Sequence, residues 1–100
     1  MGDTHSVRSP RISPEEAEVI ALKALAFLAT DATRLSRFLV LSGVDLDGLR
    51  TAASSREFLA GLLNHLLEDE SLLLTFTAEQ ELDPRIPALA AQVLSRPSDI

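Results

Sequence analysis

His65, Glu68 and Asp69 have the chain's most visible capacity for chemistry, because spacings of three and four place three potential metal ligands on one helical face. A site built on them would draw further nitrogen or carboxylate ligands from a second helix. The only other histidine, His5, lies near the start of the chain. A helix break explains the acids more simply, with Asp69 capping a new helix and Glu70 favoured at its positive end. Asp45-Leu46-Asp47-Gly48 looks like part of a calcium loop. Placing Gly48 on that loop's glycine puts Gly43 at the first ligand position and Ser54 at the twelfth, where carboxylates are needed. A cap explains Asp45 as well, so no metal site and no cofactor is expected.

Catalytic constellations are equally sparse. There is no Gly-x-Ser-x-Gly elbow, no phosphate-cradling glycine loop and no His-Glu-x-x-His helix. With no Cys, Trp or Tyr, acid–base work would fall to carboxylates, and none stands in an obviously apolar setting. The expectation is a protein that is not an enzyme.

The 100 residues, 46% of them apolar, describe one globular domain. Folding at this length buries about 60–65% of the unfolded chain's surface, which leaves room for only a modest pocket. No small-molecule ligand is predicted. The absence of cysteine excludes disulfides and thiolate chemistry and points to a reducing cytoplasm. Met1–Ile12 contains no signal-peptide-like apolar run, and the longest strictly apolar stretch, Ala24–Ala29, is too short to span a bilayer. Met1-Gly2 with Ser6 fits the loose N-myristoylation pattern beside an awkward Asp3, and residues 1–12 read instead as a disordered tail. The net charge is −6, and between Ser13 and Ser95 thirteen acids face six bases. Such a field opposes a phosphate backbone and favours basic or neutral partners. Eight of the nine basic residues are Arg, which resembles a GC-rich coding bias and bears on origin, not on function.

The elements that must carry these residues are helices. Ser13-Pro14-Glu15-Glu16 combines a cap, a proline suited to the first helical position and a capping-box glutamate, and predicts a widely apolar, central helix to about Ala29. Asp31 and Gly43 bracket a second helix over 32–42, with Leu35, Phe38 and Leu39 on one face. Asp45 caps a short third helix with Leu46, Leu49 and Ala52 inward, weakened by Gly48. Ser54 or Ser55 starts a fourth, with capping-box spacing from Ser54 to Glu57 and apolar residues over half its surface. Asp69 and Glu70 open a fifth, reaching about Gln80. Asp83-Pro84 repeats the cap-and-proline signal before Ile86, Leu89, Ala90, Val93 and Leu94. Pro87 either delays that start or removes an early backbone bond, and Arg96-Pro97 ends the helix. No segment alternates like a strand. The expected fold is all-α, a compact single-domain bundle of about six short helices over 13–95, followed by a C-terminal tail at 96–100.

Two functional readings remain. Residues 35–52 read as helix, Gly43 turn, helix, with Leu46 and Leu49 where a helix-turn-helix needs packing residues. Against DNA binding stand Leu39, where that motif prefers a small residue, and Asp45 and Asp47, which would face phosphates beside Arg50. The other reading is protein interaction, because Leu74 lies about 200° around its helix from Leu72 and Val19 interrupts the first helix's polar line of Glu16, Lys23 and Thr30. Val19 and Leu74 are the candidate contacts with a protein partner or a second copy.

The stretches Ala21–Ala29, Arg34-Leu35-Ser36-Arg37-Phe38-Leu39 and Phe58-Leu59 through Leu67-Glu68-Asp69-Glu70-Ser71-Leu72-Leu73 resemble an uncharacterised proteobacterial domain-of-unknown-function family of all-helical proteins of about this length. The likeness runs from Glu15 to Leu94. Its most specific parts are Arg-Leu-x-Arg-Phe-Leu and Leu-Leu-x-Asp-Glu-x-Leu-Leu. The resemblance carries over no activity, ligand or site residue, and through an association with phosphorelay response regulators it implies a signalling partner. The expectation is a noncatalytic cytoplasmic protein-interaction module in bacterial signalling, with helix-turn-helix DNA binding as the alternative.

Overall fold

Short polar side chains take up the amides that a first helical turn leaves free, and among the described residues four of six helices begin on such a side chain. The computed structural model describes residues 11–96. The myristoylation pattern, His5 and most of both expected tails lie outside that range. Six α-helices and no strand occur among the described residues: α1 (Pro14–Ala29), α2 (Ala32–Ser42), α3 (Leu49–Ala52), α4 (Arg56–Leu67), α5 (Glu70–Gln80) and α6 (Ile86–Ser95). The fold is an all-α single domain.

At α1 the capping box is complete. Glu16 N donates to Ser13 Oγ at 3.0 Å and Ser13 N donates to Glu16 Oε1 at 2.7 Å. Asp31 Oδ1 accepts from the amides of Thr33 and Arg34 to start α2, and Asp69 Oδ1 accepts from Leu72 N to start α5. Gly43, at φ +76°, ends α2 in the left-handed conformation. The end of α5 needs the same conformation but has no glycine, so Glu81 adopts φ +55° there, at a backbone cost of about 1 kcal/mol. Leu82 N donates back to Thr77 O at 2.9 Å, closing the helix end.

Three local expectations are corrected. Ser55, not Ser54, caps α4 by accepting from Phe58 N, so the Ser54–Glu57 capping box does not form. Ser54 Oγ instead donates to Thr51 O at 2.7 Å, closing the preceding turn. Asp45 does not cap α3. Its carboxylate accepts from Gly48 N at 2.8 Å, which makes a separate turn, and α3 is a single turn that starts at Leu49. Leu46 is therefore not inward, and 65% of its surface is exposed. Ile12, assigned to the N-terminal tail, packs against the core. At α6 the late start wins, with Pro87 buried near the helix N-terminus where its missing N–H costs nothing.

The centre of the bundle is α1, α4 and α6 packed on one another, with α2 against α1 and α4, and α5 against α4. Leu28, Leu62, Leu63, Leu66 and Phe76 are fully buried, and the rings of Phe27 and Phe76 meet at 5.4 Å between centroids. The small residues Ala17, Ala21, Ala24, Ala90 and Ala91 are buried on α1 and α6, which lets those helices approach closely. Thr77, buried among apolar neighbours, donates to Leu74 O at 3.2 Å.

At the turn before α6, Arg85 donates from its guanidinium to Asp83 at 2.8 Å and from its backbone N–H at 2.9 Å. The guanidinium bond is the larger influence, and together they hold the Asp83 carboxyl at about 2, below its ordinary 3.8. A carboxyl depressed in the folded state stabilises above its unfolded value. That contribution is lost as pH falls from 3.8 toward 2. Asp83 is solvated, so the effect on stability is small, but its NMR titration is expected to show a midpoint near 2. Arg85→Ala should move the midpoint toward 3.8, incompletely because the backbone N–H remains.

Candidate functional site

Helix α2 is only lightly held. Phe38 is its one buried residue, and Leu35 and Leu39 are half-buried. Phe38-Leu39-Val40-Leu41 is a run of four apolar residues, and successive residues advance about 100° around a helix, so the run covers about 300° of its circumference. Such a run cannot face one core. With Phe38 and Leu39 turned inward, Val40 is 79% and Leu41 70% exposed. Gly43 then ends the helix, and the Asp45–Gly48 turn holds Leu46 out in solvent. The three most exposed large apolar side chains of the described structure thus fall within seven residues, at the C-terminal end of α2 and the turn after it.

Leu41 also lines a groove of about 400 Å³ between α2 and α4, together with Phe38, Phe58, Gly61, His65 and Glu68 among others. Its aromatic side is ordered by contact geometry, with Phe38 edge-on to Phe58 at 5.6 Å and tilted against His65 at 5.2 Å. Gly61 opens the groove. A Cβ built on it would meet no heavy atom within 4 Å, although glycine inside a helix costs about 1 kcal/mol relative to alanine. Packing does not require that glycine.

The surroundings are acidic. Between residues 38 and 68 stand the carboxylates Asp45, Asp47, Glu57 and Glu68 against two bases, and one of these, Arg56, is held by Glu18 at 2.7 Å. The arrangement offers apolar area and negative charge but no paired acid and base, and its chemical capacity is for contact.

The residues singled out by sequence fall elsewhere. Val19 on α1 and Leu74 on α5 are 50% and 44% exposed. Val19 lines an apolar recess with Ile12, Ile20, Leu82 and Ile86 that does not include Leu74. His65 packs its ring on Phe38, and the carboxylate of Asp69 accepts from Leu72 N. Among the described residues no three His, Asp or Glu side chains stand together as metal ligands. The helix-turn-helix reading loses its second helix, because α3 is a single turn that cannot lie along a major groove, and Leu46 does not pack beneath it. Sequence reasoning missed Val40, Leu41 and Leu46. The signal was the unbroken Phe38–Leu41 run, too wide for a helix with one neighbour on its apolar face.

Residues 14–97 match a family described as a protein of unknown function, DUF3572. The chain belongs to that family. The match takes in all six helices, both sides of the α2–α4 groove and the exposed corner at Leu46. No curated protein and no solved structure matches the chain. Among the described residues of this DUF3572 member, no helix is long and apolar enough to cross a membrane.

Proposed function

We propose that this protein is a noncatalytic adaptor of the bacterial cytoplasm that binds another protein through the α2–α4 groove and the apolar corner beside it. The observation that carries the reading is the coincidence of Val40, Leu41 and Leu46, all strongly exposed, with a groove held open by Gly61. Isolated exposed apolar residues are ordinary, whereas three within seven residues, one of them lining a concavity, support a docking surface. The occupant is an amphipathic helix with basic flanks. Its apolar side chains fill the groove over Gly61, and its bases meet Glu57, Glu68, Asp45 and Asp47. The cysteine-free composition supports a reducing compartment, and the resemblance noted above supports a signalling partner.

A photo-crosslinking side chain placed in the host at position 41, 19 or 74 tests the face. Position 41 is expected to crosslink one protein, through an apolar segment with basic flanks, and positions 19 and 74 are not. Crosslinking from 19 or 74 but not from 41 would overturn the assignment, and a product joining two copies of this chain would replace the foreign partner with self-association. In a gel-shift with mixed genomic DNA at low salt, binding that falls steeply with added salt would contradict the reading in favour of DNA.

A further inference from the structure

A second cleft, which shares His65 with the docking groove, lies between the N-terminal halves of α2 and α5. Its volume is about 220 Å³, and its walls are Thr33, Arg34 and Arg37 from α2, His65 from α4, and Asp69, Ser71, Leu72 and Thr75 around the start of α5. Its charge departs from that of the rest of the molecule. Over residues 11–96 thirteen acids face eight bases, yet in this cleft two arginines and a histidine face one carboxylate, whose Oδ1 already accepts from Leu72 N.

The cleft walls carry donors of the kind that bind anions. The guanidinium of Arg34 sits 5.4 Å from the centre of the Phe27 ring, with Nε 3.9 Å from Asp31 Oδ2. That ring and carboxylate position the head group and leave guanidinium N–H groups for a further acceptor. Arg37 makes no ion pair or side-chain hydrogen bond among the described residues. Among those residues the hydroxyls of Thr33 and Ser71 also have no acceptor, whereas Thr75 Oγ1 already donates to Ser71 O at 2.9 Å. Among the described residues these two guanidinium groups and two hydroxyls outnumber the acceptors beside them, the carboxylates of Asp31 and Asp69. Guanidinium groups pair with tetrahedral oxyanions through parallel N–H···O bonds. The volume of about 220 Å³ lies below that of pockets for drug-sized ligands and accommodates a small oxyanion group.

We propose that the α2–α5 cleft binds a phosphoryl group, held by Arg34 and Arg37 with the Thr33 and Ser71 hydroxyls as further donors. The group is either free phosphate or the phosphoryl end of a phosphorylated side chain.

The test is a two-dimensional NMR titration of the full chain with inorganic phosphate and, separately, with O-phosphoserine, each against sodium chloride of equal ionic strength. Saturable shifts confined to residues 33–37, 65 and 69–75 are expected. Tighter binding of inorganic phosphate would identify the free ion, and tighter binding of phosphoserine the modified side chain. Arg37→Ala, at an exposed position, should weaken binding at least about ten-fold, as loss of a charged hydrogen bond does. Arg50→Ala, on α3, should leave it unchanged. Shifts that chloride reproduces, or equal losses in the two variants, would reduce the site to an adventitious ion only and overturn the proposal. So would an oligonucleotide that displaces phosphate from the cleft with steep salt dependence.

Discussion

Phe76→Ala is expected to lower the free energy of unfolding by about 3–5 kcal/mol, the range for truncating a fully buried phenylalanine. Phe76 has no exposed surface, and its ring meets Phe27 of α1, so it is the aromatic contact that ties α5 to the central helices. Truncation removes buried area, leaves a cavity in the core cluster, and forfeits the aromatic pair. A domain of this size holds about 5–15 kcal/mol in total, so the variant should be marginal at 37 °C. Chemical denaturation read by circular dichroism checks this. A loss under about 1 kcal/mol would mean that α5 is anchored by something other than Phe76.

Phe38→Ala is expected to cost a comparable amount, near the lower end of that range because one side of the ring borders the open groove. Its effect should be regional. Phe38 is the one buried residue of α2 and touches both Phe58 and His65 of α4, so without it α2 keeps only the half-buried Leu35 and Leu39. Hydrogen exchange should then show the α2 amides opening well before those of α4 and α6, which bury their own residues against α1. The same variant should lose partner binding, since Phe38 lines the groove. Uniform acceleration across all six helices would show instead that α2 is integral to the core.

These predictions rest on features of unequal legibility in the sequence. Ser13, Asp31 and Asp69 announced α1, α2 and α5 because capping depends on a side chain and an amide two or three residues away, which sequence spacing contains. Gly43 announced the end of α2 for the same reason. Ser54 and Ser55 both had cap chemistry, and the choice between them turned on where the previous turn closed, which spacing does not contain. Asp45 likewise capped a turn instead of a helix. Exposure was less legible still. Whether Val40 and Leu41 face solvent depends on which helices flank α2, and that is a property of the assembled bundle. Sequence spacing does not distinguish Gly61 from any other helix glycine, and only the packing of α2 alongside α4 gives its missing side chain a groove to open.

The central claim is that the Gly61 groove is where a partner docks, and the affinity of the crosslinked partner for three purified proteins tests it most directly. Gly61→Ala should be more stable than the natural chain by up to about 1 kcal/mol, because the added Cβ meets open space and favours the helix. It should bind within about two-fold, since one methyl barely fills the space. Gly61→Leu adds a branched side chain at the groove wall, where a Cβ meets open space, so the fold is expected to persist while affinity falls at least about ten-fold, some 1.4 kcal/mol. If Gly61→Leu remains folded and binds as the natural chain does, the groove is not the docking site.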